Sequence, residues 1–204
     1  MLFGIVRILF WFIVFILAII LLKKSKCTRK RIYTLVLFLC IVLCSVSSLF
    51  PVENLFITFN SPQDVFNYTC SGKIEDIIYG NHSCMVIYST GKSSYSHSIM
   101  PKSADGYKIP SEFSVKNIST KMDNYASFDV YNVLDTCDFY VLGLTVVNGQ
   151  EVDIVDSNNR EVSKLIDIVG DTDINHVLFF SFVDDLTDEY FILINGEKYQ
   201  SLTT

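Results

Sequence analysis

Residues 23–31, KKSKCTRKR, place six positive charges in nine residues between two strongly apolar runs. Upstream, Leu2–Leu22 is apolar except for Arg7; downstream, Ile32–Phe50 is nineteen residues without a charge. At about 1.5 Å per residue nineteen residues reach roughly 28 Å, close to the ~30 Å hydrocarbon thickness of a bilayer. Neither run has the polar face of a soluble helix. The expectation is therefore two transmembrane helices, 1–22 and 32–50, joined by the basic loop 23–31. Each loop charge would cost about 2.5–3.5 kcal/mol at a bilayer centre, and the positive-inside bias makes the loop cytoplasmic. That gives a helical hairpin anchor in the cell membrane, multi-pass with two spans, and both the N- and C-termini extracytoplasmic. Arg7 snorkels near the outer end of the first span, with Trp11 one turn deeper as an interface anchor.

A signal peptide is the rival reading of the second run, because Ser45-Val46-Ser47 has small-x-small spacing. A signal sequence normally begins near the first residue, however, and here a complete apolar segment precedes it. Leucine stands before both Cys40 and Cys44, where a lipid-modified cysteine would follow a small residue.

Charge divides the chain at the same place. Residues 1–50 carry seven of the 16 Lys and Arg and no acid; residues 51–204 carry the other nine bases and all 22 acids, a net charge of −13. Such a surface repels nucleic acid. The basic loop is the one segment suited to anionic lipid.

Residues 51–60 read as a connector. Ser61-Pro62-Gln63-Asp64 then has the pattern of a helix start, with a capping serine, proline in the first turn and an acid at the positive helix end, so a short helix runs to about Tyr68. From there β-branched and aromatic runs alternate with turn residues. Strands are expected at 73–79, 83–89, 94–100 and 107–109, broken at Gly80-Asn81, Thr90-Gly91-Lys92 and Ala104-Asp105-Gly106. A second series starts near Phe128 and continues at 139–147, 151–156, 162–169, 177–183 and 190–194. Asn148-Gly149 and Asn195-Gly196 have the hairpin-turn signature. The runs 177–183 and 190–194, apolar on both faces, are expected to be central strands, with Asp184, Asp185, Asp188 and Glu189 in a solvated loop between them. Residues 110–125 carry less pattern and would join two lobes, 61–110 and 126–204. The fold class is thus a membrane-anchored chain whose 61–204 portion is a mainly β (α+β) extracytoplasmic domain of antiparallel meanders with one short leading helix. Its 144 residues are enough to bury about 70% of the unfolded chain's surface.

Motifs with known chemistry fail on inspection. Gly91-Lys92-Ser93 resembles the end of a phosphate-binding loop, but Val86 stands where the first glycine is required. Asp171-x-Asp173-x-Asn175 opens like a calcium loop, yet His176 and Phe182 occupy the positions of the obligatory glycine and the bidentate glutamate. His82, His97 and His176 have no metal-ligand spacing, and no serine lies in a nucleophile-elbow pattern. No catalytic, cofactor-binding or metal residue is assigned, and no cofactor is expected. Of the six cysteines, Cys27 falls in the basic loop and Cys40 and Cys44 in the second run. Cys70, Cys84 and Cys137 remain. With Gly80-Asn81 turning a hairpin, Cys84 lies opposite about Ile77 and Cys70 is too far away for a disulfide, so buried thiols are expected.

Asn67, Asn81 and Asn117 each begin a glycosylation sequon. SPQDVFNY (61–68), GKIEDIIYGNHSCMVIY (72–88) and IMPKSADGYKIP (99–110) together resemble a pattern in uncharacterised small exported or membrane-anchored proteins of low-GC Gram-positive bacteria. Those proteins often have Gly-Trp-Lys where this chain has Gly106-Tyr107-Lys108. The resemblance implies an extracytoplasmic β-rich module in a bacterium and supplies no catalytic residue.

The functional expectation is a non-catalytic extracytoplasmic interaction or sensing module. Its partners would be the membrane bilayer and another membrane or cell-surface protein, with no nucleic acid. One alternative is an accessory or immunity-type subunit of a membrane complex. Another is a thiol or hydrolase enzyme, which needs Cys84 or Cys137 to converge with a histidine. A polar pocket joining Cys, His and Asp would favour the enzyme; an apolar patch or an open sheet edge would favour binding.

Overall fold

The computed structural model describes residues 2–24, 30–91, 94–122, 126–148, 151–158, 162–168, 174–184, 186–187 and 189–200. Helices α1 (Leu2–Lys24) and α2 (Lys30–Leu49) lie side by side and enclose an apolar cleft of about 260 Å³ between Phe15, Leu22, Tyr33, Leu37 and Cys40. A 3-10 turn (Val52–Leu55) and α3 (Pro62–Thr69) follow. The start of α3 is set by local chemistry. Ser61 Oγ accepts from the Asp64 amide at 3.2 Å, and Pro62 occupies the first turn, where its missing N–H costs nothing.

Among the described residues, no helix is long and apolar enough to cross a membrane. This corrects the expected transmembrane helices at 1–22 and 32–50, the helical hairpin anchor, and the two-span cell-membrane location with extracytoplasmic termini. The reason lies in where polar groups fall. In α1, Arg7 is held by the 3-10 turn that follows α2: Nε and Nη2 donate to Glu53 at 2.9 and 3.0 Å. Between Arg7 and Lys23 the apolar run is Ile8–Leu22, about 22 Å of helix against the ~30 Å required. In α2, Thr34 and Ser45 bound an unbroken apolar run of only Leu35–Cys44, about 15 Å, and Ser45 Oγ donates to the Ile41 carbonyl. Counting uncharged residues overstated both lengths. Residues 25–29 of the basic stretch, with Cys27, lie outside the described residues.

The strands form three antiparallel sheets. Sheet I holds β1 (Lys73–Tyr79), β2 (Ser83–Gly91), β3 (Ser94–Ser103) and β4 (Gly106–Tyr107), in chain order. Sheet II contains β5 (Val115–Met122), β6 (Ala126–Val133), β7 (Phe139–Asn148), β9 (Ser163–Ile168) and β10 (Ile174–Val183), ordered β5-β6-β7-β10-β9. Sheet III is β12-β11-β8, from β8 (Ile154–Asp156), β11 (Phe191–Ile194) and β12 (Glu197–Gln200).

Period-two alternation stacks these elements in layers. Cys84, Val86 and Tyr88 of β2 pack with Val65 and Phe66 of α3, while Met85 and Ile87 turn the other way onto Tyr140 and Phe180 of sheet II. Sheet II repeats the device. Leu178 and Phe180 face sheet I, whereas Val177 and Phe179 join Phe128, Ile154 and Ile192 under sheet III. The order is α3, sheet I, sheet II, sheet III, with three apolar seams between the layers. β10 lies between β7 and β9, and β11 between β12 and β8, so both strands that are apolar on two faces have neighbours on each side.

Three sequence expectations change. Residues 115–122, read as part of a joining stretch, are the outer strand of sheet II; VKNISTKM is too polar to signal a strand because an edge needs only one apolar side. Asn148 ends β7, but β7 pairs with β6 and β10 and β8 pairs with β11, so no hairpin joins 139–147 to 151–156; Gly149 itself lies outside the described residues. Cys84 sits opposite Tyr79, and Ile77 is opposite Val86, because four residues, Gly80–Ser83, separate the last paired positions of β1 and β2.

The second Asn-Gly pair does turn a hairpin. Ile194 pairs with Glu197, and Asn195 and Gly196 take φ of 51° and 83°. A Cβ at Gly196 would meet open space, so Gly196→Ala tests backbone conformation alone. It is expected to cost about 1 kcal/mol, read as a lower denaturation midpoint at unchanged m-value. An unaltered midpoint would show that the turn contributes nothing to register.

Candidate functional site

A buried polar cluster ties sheet I to sheet II. Ser83, Asp138 and Tyr140 have no exposed surface. Asp138 follows a turn whose Asp135 has φ of 63°, and its carboxylate reaches back to the β1–β2 loop. It accepts from the His82 amide at 2.8 Å, the Asn81 amide at 3.3 Å and the Ser83 hydroxyl. Ser83 Oγ is also 2.9 Å from the Tyr140 hydroxyl, whose proton burial makes harder to lose. The cluster has a serine and an acid but no histidine side chain and no path from solvent. It clamps a loop. Sequence reading missed Asp138; its one signal is an acid directly before the apolar run FYVLGL.

The cysteines and histidines do not assemble. Cys84 is sealed in the α3-side core, where burial pushes its thiol up to about 12, so it is protonated at neutral pH. Cys70 packs against the same core and Cys137 is exposed; both are free thiols. His82 is exposed in the β1–β2 loop, and His176 on β10 stands opposite Val146 and Asp167. Among the described residues no hydrogen bond joins a cysteine to a histidine, and no group of three or more metal-capable side chains occurs. Asp171, Asp173, Asp185, Asp188 and Lys92-Ser93 lie outside the described residues.

An accessible constellation lies at the open side of the seam between sheets I and II. A cleft of about 280 Å³ is lined by His97, Ser98 and Ile99 of β3, Pro110, Ser111 and Glu112 of the following loop, Val115 and Asn117 of β5, and Tyr131 of β6. The His97 and Tyr131 rings meet at 4.8 Å between centroids. Beside them, the half-exposed Asp129 accepts from Thr120 Oγ1 at 2.6 Å, Asn117 Nδ2 at 3.0 Å and the Tyr131 hydroxyl at 3.4 Å. Burial lowers the His97 pKa, partly offset by Asp129, so the imidazole is neutral at neutral pH. Burial and Asp129 push the Tyr131 phenol up to about 12.

Above this cleft β3 is open. β4 pairs only with Lys102 and Ser103. Lys102 donates its N–H to His82 on the β2 side, and the Pro101 carbonyl accepts from Lys108 on the opposite side. Strand alternation then aims the backbone groups of Ile99, His97 and Tyr95 outward, where no described strand pairs with them. Other free edges are blunted. β1 has Lys73, Glu75 and a bulge; β5 has Lys116 and a bulge; β9 has Lys164; β12 has Glu197 and Lys198; β8 is only three residues long, ends in Asp156 and gives its Ile154 carbonyl to the Val162 amide. Ser94–Met100, SYSHSIM, contains no charge and no proline.

A second exposed feature is the outer face of the helix pair, where Leu21, Leu35 and Phe38 are each about two-thirds exposed. No family model, no curated protein and no solved structure matches the chain.

Proposed function

We propose that the chain is a non-catalytic interaction module that receives a protein partner at the open edge of β3. The carrying observation is the contrast between this edge and the others. Along Ser94–Met100 a row of outward N–H and C=O groups without lysine, proline or bulge is a template for another strand, and folded proteins protect such rows unless they use them. The protonated, buried Cys84 and the sealed Ser83–Asp138–Tyr140 cluster support a non-catalytic reading, because neither offers a nucleophile to solvent. The apolar outer face of α1 and α2 supports the accessory-subunit form of this reading, in which a larger assembly also covers the helices.

Site-specific photocrosslinking in cells producing the full chain tests both surfaces. With the reactive residue at position 95, one identified protein should be captured through an extended segment mapped by mass spectrometry, and His97→Pro, which removes an outward N–H, should abolish that adduct. Capture of the same protein from position 38 would establish the accessory-subunit form. Adducts with lipid alone, or a scatter of abundant proteins insensitive to His97→Pro, would overturn the proposal.

A further inference from the structure

The occupant of the β3 edge can be specified further, on the premise that the chain is an interaction module. We infer that it is an extended peptide segment carrying a lysine or arginine side chain, with the backbone pairing along Tyr95–His97 and the cationic end entering the cleft between β3 and β5. Two independent features converge on this class of ligand.

The first is backbone geometry. Tyr95 and His97 each present an N–H and a C=O to the open side, so a strand laid antiparallel there gains main-chain bonds whatever its sequence. Alternate side chains of that strand point to the same side as those of His97 and Ile99, which is toward sheet II and the cleft. Selection of the partner must therefore come from what the cleft accepts.

The second is charge. The lining holds the exposed carboxylate of Glu112 at its rim and no lysine or arginine. Asp129, half-exposed on the same face of β6 as Tyr131, stands beside the lining and accepts from the neutral donors Thr120, Asn117 and Tyr131. The ring pair His97 and Tyr131 offers aromatic surface to a cation. Ser111 and Asn117 can accept further N–H groups. An acidic side chain would meet Glu112, with Asp129 nearby, without a counter-charge, and a purely apolar one would leave the polar lining facing carbon. The net charge of −13 over residues 51–204 favours basic segments at longer range as well.

The test uses the purified full chain and fluorescently labelled, end-blocked pentapeptides of sequence Thr-Val-Xaa-Val-Thr, followed by anisotropy at low salt. With Xaa as arginine or lysine, binding should be at least tenfold tighter than with citrulline or glutamate. Glu112 is exposed, so Glu112→Gln should fold normally, and it should erase most of the difference between arginine and citrulline. His97→Pro should remove binding of every peptide. Equal binding of arginine and citrulline peptides would overturn the cationic specificity while leaving the edge as a strand acceptor. If no peptide binds but the position-95 adduct still forms in cells, the extended-peptide inference fails and the interaction-module reading survives. Loss of both would overturn the two together.

Discussion

Replacing Asp138 with alanine lowers the stability of the chain by on the order of 3 kcal/mol or more, because three donors lose their acceptor inside the protein. The amides of Asn81 and His82 and the hydroxyl of Ser83 all point at this carboxylate, and Ser83 and Asp138 are fully buried. Water cannot readily take the vacated place beside Ser83, since Gly80, Tyr140 and Phe182 close around it. Asp138→Asn keeps one acceptor oxygen but turns an NH2 toward a donor, so its cost should fall between wild type and alanine. Tyr140→Phe removes only the outermost member of the network and should cost about 1 kcal/mol. Urea denaturation of the three variants ranks them. A loss below about 1 kcal/mol for Asp138→Ala would mean that the loop is held by packing and not by the carboxylate.

Gly143→Ala should be nearly as damaging, at about 3 kcal/mol, for a steric reason. Gly143 lies in the middle of β7, paired with Phe128 of β6 on one side and Phe179 of β10 on the other. The Phe179 ring covers the glycine, and an added Cβ would overlap that ring and come within 2.7 Å of Phe128 Cβ. Both phenylalanines are buried in the seam under sheet III and have nowhere to retreat. The double variant Gly143→Ala/Phe179→Leu should recover part of the loss, since the smaller side chain vacates the space the methyl needs. Additive effects in that cycle would show that the glycine is required by its backbone and not by the ring.

How much of this could be read in the sequence depends on the range over which each feature is encoded. β1, β2, β10 and β11 announce themselves because a strand buried on both faces, or next to a turn residue, needs only local composition. β5 is silent because an edge strand with five polar residues in eight, Lys116 and Lys121 among them, looks like a loop. The pairing of β8 with β11 was hidden by Asn148-Gly149, a strong local turn signal overridden by a partner some 40 residues away. Asp138 was invisible as a site, since nothing near it says that the loop at 80–83 will come to rest on its oxygens. In the helices, the count of uncharged residues ran through Thr34 and Ser45 as though they were apolar, and took Arg7 for a side chain reaching into an interface when its partner is Glu53. The unguarded β3 edge was present as the uncharged run SYSHSIM, but its openness follows only from how briefly β4 pairs with it.

The layered stacking also fixes a schedule for synthesis. Sheet I is joined in chain order, hairpin by hairpin, so α3 and β1–β4 can close on one another as soon as residue 107 has emerged. Its second face cannot. Met85, Ile87 and Ile99 are covered by Tyr140 and Phe180, and β7 acquires its inner neighbour only with β10. At about 5–20 residues per second, the 73 residues from 107 to 180 take several seconds to arrive, during which half of a finished sheet is wet and apolar. β8 waits longer still, until β11 at 191–194 has emerged. The nascent chain is thus most exposed to mispairing between its own first and second halves, and the interval in which a chaperone would matter to it runs from residue 107 to the arrival of β11.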